Sequence, residues 1–80
     1  MGMTEFTGQL WRILDDYEAR GREPQRVLEM IAYQMREFIE GNSVLAAPIA
    51  QMRIVVDAWE RGERPDLDSL EIIAALSRQL

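Results

Sequence analysis

The sequence predicts an all-α protein, with four helices arranged as two tandem helix-turn-helix hairpins in an antiparallel, bundle-like domain. Three observations carry that prediction. The stretch RILDDYEARGREP, residues 12–24, returns as RIVVDAWERGERP, residues 53–65. Both copies run through Arg-Gly and reach Pro three residues later, which is how one helix stops and the next begins. Apolar residues recur at spacings of three and four in nearly every segment between these marks.

The repeat extends beyond the quoted stretch. At an offset of 41, Arg12, Ile13, Asp16, Arg20, Gly21 and Pro24 match Arg53, Ile54, Asp57, Arg61, Gly62 and Pro65. One inserted residue moves the offset to 42, where residues 27–38 align with residues 69–80 and share Leu, Glu, Ile, Ala and Arg. An internal duplication follows, with hairpin one over about residues 4–41 and hairpin two over about residues 43–80 of a single domain, 1–80.

The first helix is expected over Thr4 to Arg20, with Phe6, Leu10, Ile13, Leu14 and Tyr17 on one face. Gly21 supplies the left-handed residue that closes it. The second helix runs from Pro24 to Glu40 and turns Val27, Leu28, Ile31, Ala32, Met35, Phe38 and Ile39 inward before Gly41 and Asn42 end it. The third begins near Ala47, with Pro48 in its first turn and one further turn allowed from Ser43, and closes before Gly62. A strand over Ile54–Val56 is the alternative there, disfavoured because the same register in the other copy reads ILD. The fourth, Asp66 to Leu80, opens on acidic residues, with Asp68 and Glu71 spaced like a capping box.

The third helix breaks the symmetry of the repeat. By alignment its inward positions are Gln51, Ile54, Val55 and Ala58, yet Ile49, Met52, Val56 and Trp59 form a second apolar stripe beside them. A helix apolar around most of its girth is covered on more than one side. It is therefore expected to be the central helix, or to lie at a subunit contact.

Composition excludes much chemistry. The chain has 80 residues, 48% of them apolar and 29% charged, which suits a folded domain and not a disordered tail. It has neither cysteine nor histidine, so thiolate nucleophiles, zinc-thiolate and iron–sulfur sites, imidazole bases and imidazole metal ligands are out of reach. Every cation is arginine, leaving no lysine for a Schiff base. Neither cofactor nor metal is expected. A net charge of −5 repels phosphate backbones, so nucleic acid is not an expected partner. The longest apolar run, Val44 to Ala50, is too short to cross a bilayer, and the MGMTEF start has no signal-peptide character, so a soluble cytoplasmic location is expected.

The residues that remain point to a non-enzymatic interaction or regulatory module that binds a protein partner, a second copy included. Trp11 and Trp59 fall at unlike places in the two copies, and Met30 and Tyr33 widen the apolar arc of the second helix. Aromatic, Met and Arg side chains are enriched at interfaces. The partner face is thus expected to include Trp11, Met30, Tyr33, Met52, Val56 and Trp59. The charged ladders Arg12-Asp16-Arg20 and Arg53-Asp57-Arg61 pair neighbours four residues apart, and make Arg20 and Arg61 candidate contacts for an anion. Two other functions fit the same features less well. One is an acidic inhibitor that imitates nucleic acid before a basic target, and the other a small helical enzyme using arginine to hold an anionic substrate.

Overall fold

A computed structural model describes all residues, Met1–Leu80. It is all-helical: α1 spans Met3–Arg20, α2 Pro24–Glu40, α3 Ala47–Glu60 and α4 Asp66–Ser77. The helices pair as two hairpins, α1 with α2 and α3 with α4.

Each hairpin turns on a glycine with positive φ, Gly21 at 60° and Gly62 at 76°, the only such residues in the chain. The two turns close differently. In hairpin one a single bond runs from the Gly21 N–H to the Tyr17 carbonyl. In hairpin two the Glu63 N–H reaches back to Ala58 and the Gly62 N–H to Trp59, the double closure of a Schellman motif. Pro24 opens α2 in its first turn, where a missing N–H costs nothing.

Several expected boundaries shift. No helical turn precedes α3 from Ser43, and residues 43–46 are bends and extended chain, since Ala46 in extended geometry leads into Pro48 at the helix start. The helix α4 stops at Ser77 instead of Leu80, its last carbonyls taken by short backbone bonds from Gln79 and Leu80. The Asp68–Glu71 capping box does not form. The N-cap residue is Pro65, without a side-chain cap, and Asp68 instead pairs with Arg64 at 2.7 Å.

One continuous core draws on all four helices. At one end Phe6 of α1 stacks on Phe38 of α2, ring centroids 4.7 Å apart. Within α4, Leu70 and Ile73 are buried at the places that Leu28 and Ile31 hold in α2, and buried Ser69 and Ser77 stand where α2 has Val27 and Met35. Both serine hydroxyls donate to carbonyls of their own helix, Ser69 to Pro65 and Ser77 to Ala74, so neither is left unpaired in the interior.

The helices in the middle are α2 and α4, which pack on each other and on both remaining helices, whereas the backbones of α1 and α3 stay apart, their Cα atoms nowhere within 8 Å of each other. The expectation that α3 would be central is thereby corrected. Its buried face is only in part the one the repeat assigns: Val55 is interior and Ala58 half-buried as expected, but Ile49, Met52 and Val56 of the second stripe are interior as well, while Gln51 and Ile54 face water, Ile54 at 60% exposure. Turning the second stripe inward buries larger side chains and spares the Gln51 amide, whose burial without partners would cost a few kcal/mol. The surplus apolar surface expected of α3 is thus absorbed by this chain's own core, Ile54 apart.

Candidate interaction surface

The expected partner residues separate into three groups. Met52 and Val56 are fully buried, at 0% and 3% exposure, because they form the inward stripe of α3; they are corrected from surface to core. Trp59 is half-buried, and its indole N–H donates to the Asp66 carboxylate at 2.6 Å, bracing the end of α3 against the start of α4. Trp11, Met30 and Tyr33 are exposed, at 45%, 47% and 57%.

These three do not share one face. Trp11 lies on the seam between α1 and α4, beside Leu14, Ala74 and Ser77. Its indole N–H donates across that seam to the Ser77 carbonyl at 3.1 Å, a second bond to an oxygen that the Leu80 N–H also reaches. Met30 and Tyr33 lie on the other side of the hairpin, where they join Ile13 as the apolar lining of a groove of about 580 Å³ between α1 and α2.

The polar rim of that groove holds Arg12, Asp16, Arg26 and Glu29, with Gln9 and Gln34. Six of the chain's nine arginines form ion pairs. The three that do not are Arg12, Arg26 and Arg78, and the first two line this groove. Asp16 is claimed from outside by both Arg20 and Arg22. The groove is therefore more positive than the chain as a whole. Gln34 contributes a buried Oε1 that meets no donor.

The charged ladders form only in part. Asp16 pairs with Arg20 at 3.0 Å but not with Arg12, and Asp57 meets Arg53 only at 4.0 Å. Arg61 turns away to Glu63 at 2.8 Å. Its hydrogen bond and charge hold the Glu63 carboxyl below the ordinary glutamate value. Arg20 and Arg61 each hold a carboxylate of the chain itself, which occupies the fork an incoming anion would need.

Tyr33 forms the crest of the exposed side of α2, lining both the α1 groove and a second crevice that includes Trp59 and Asp66. The hydrogen bonding and the charge of Glu37, one turn further on, raise the Tyr33 hydroxyl above its ordinary pKa, so the ring stays neutral throughout the physiological range. Along this crest Arg26, Met30, Tyr33 and Glu37 recur at spacings of four, three and four. Arg26 and Glu37 are not among the partner-face residues expected from sequence. Their signal is that same outward periodicity, which the inward apolar pattern of α2 overshadows. No helix is long and apolar enough to cross a membrane. No protein-family model, curated protein or solved structure matches this chain.

Proposed function

We propose that this chain is a non-enzymatic helical interaction module whose docking surface is the outer face of α2 with the adjoining α1 groove. The observation that carries the reading is the exposure of Met30 and Tyr33 over Ile13 in a groove whose arginines, Arg12 and Arg26, have no ion-pair partner. An apolar centre within a charged rim is the usual anatomy of a protein interface, and a cleft between two helices suits a partner helix. Trp59 borders this surface and Trp11 does not. Burial of the Tyr33 ring supplies affinity, and the two free guanidinium groups select an orientation.

A photoreactive benzophenone side chain placed at position 29, on the outer face of α2, tests this in the source cell, with position 67, exposed at the start of α4, as the control site. Crosslinked protein is expected from position 29 and not from 67, and is expected to vanish when Met30→Glu or Tyr33→Glu is added without change in melting temperature. The same products from both positions would defeat the reading.

A further inference from the structure

We propose that the occupant of the α2 face is a second copy of this chain, docked about a two-fold axis with the two α2 helices antiparallel. This rests on the interaction reading above and gives it a partner. The outward stripe of α2 has a cation at one end, Arg26, an apolar centre, Met30 and Tyr33, and an anion at the other end, Glu37, all exposed. Reversed end to end, the stripe complements itself. An antiparallel pairing sets Arg26 against the partner's Glu37 and Met30 against the partner's Tyr33. A parallel pairing sets like charge on like charge, which is unfavourable by amounts that decide orientation.

Neither Arg26 nor Glu37 forms an ion pair inside the chain; Glu37 accepts only the Tyr33 hydroxyl of its own helix, so its charge, like that of Arg26, has no opposite charge to meet until a partner brings one across the axis. A two-fold interface requires the same patch on both copies to be self-complementary, and this stripe meets that condition. With each copy carrying −5, long-range repulsion opposes approach, and the two cross-axis ion pairs fall where they offset it. A contact centred on one helix pair is small, so the dimer is weak and reversible.

Sedimentation velocity of the full chain from low to high micromolar concentration reads this directly. The wild-type chain is expected to shift from monomer to dimer. Arg26→Glu alone, or Glu37→Arg alone, is expected to raise the dissociation constant on the order of tenfold or more. Mixing the two variants restores both opposite-charge pairs, and so does combining them in one chain, so dimer is expected to return in both cases. Thermal melts at low concentration are expected to stay close to the wild type, since Arg26 is unpaired and Glu37 holds only an exposed hydrogen bond from Tyr33 on its own helix.

Three results overturn the proposal: a wild-type chain that stays monomeric at high micromolar concentration, a dimer untouched by either single swap, or single swaps that break the dimer with no rescue by mixing or combination. The benzophenone capture at position 29 distinguishes the outcomes. A monomer that still yields a Met30-dependent product has a docking face with a different occupant, whereas a monomer without one has no docking face there.

Discussion

The two hairpins use their repeated residues differently. Between α2 and α4 the centre of the inward face is kept: Leu28 and Leu70 are buried alike, as are Ile31 and Ile73. Between α1 and α3 it is not. Ile13 is in the core at 8% exposure, while its counterpart Ile54 stands in water at 60%. The axis of α3 has in effect rolled by about a third of a turn relative to its template. The helices that kept their faces are the two that pack on each other across the middle, where a change on one must be answered by the other. The helices that diverged have no close backbone approach to each other, so each could settle on its own best stripe.

The largest effects that test this contrast come from equivalent isoleucines. Ile31→Ala and Ile73→Ala, both at fully buried positions, are expected to cost about 2–5 kcal/mol each in urea unfolding. Ile13→Ala is expected to fall at the lower end of that range, and Ile54→Ala within about 0.5 kcal/mol of wild type. An Ile54→Ala penalty as large as that of Ile13→Ala would mean that α3 presents the repeated face after all.

The indoles give the next largest effects. Trp59→Phe keeps most of the ring and removes the bond to the Asp66 carboxylate, an expected loss of about 1.5 kcal/mol by thermal melt. Trp11→Phe removes a bond to a neutral carbonyl on a more exposed side chain, and about 0.5–1 kcal/mol is expected. Equal losses at the two sites would place their hydrogen bonds in like environments, contrary to the geometry.

The turns come third. Both Gly21 and Gly62 are left-handed, so alanine at either is expected to cost about 1 kcal/mol from backbone strain alone. Neither glycine has a heavy atom within 4 Å of where the new methyl would stand, so no steric clash adds to that strain. A marked difference between the two would trace to their single and double hydrogen-bond closures.

The smallest effect is at Glu63. Arg61 lowers its folded pKa, so the pair's contribution is complete above the ordinary glutamate range and is lost as pH falls through the lowered value. Carboxyl NMR is expected to place the Glu63 midpoint below the ordinary glutamate value and Arg61→Gln to restore it. The exposed pair leaves overall stability almost unchanged.

Much of this architecture was legible because its signals are local. Gly21, Gly62, Pro24 and Pro65 punctuate the hairpins whatever the tertiary packing, and α2 has only one wide apolar face to turn inward. The face of α3 was not legible, because its two apolar stripes satisfy the same periodicity and only the surrounding helices choose between them. The interaction surface was half legible. Met30 and Tyr33 stood out as apolar residues beyond the inner face, whereas the importance of Arg26 and Arg12 depends on where every other arginine found its partner, a property of the assembled structure.

The pattern of helix contacts has one further consequence. The α1–α2 packing is mirrored by α3–α4, the α1–α4 seam by that of α3 and α2, and the α2–α4 contact maps onto itself. Topologically the molecule is a pair of half-molecules tethered by residues 41–46, which, besides packing Leu45 on the core and bonding Asn42 to the Met1 and Phe38 carbonyls, supply local concentration. Proteolytic nicking at Val44, the most exposed of the large apolar residues at 87%, would therefore turn a one-chain fold into a two-body equilibrium whose melting point climbs as the fragments are made more concentrated.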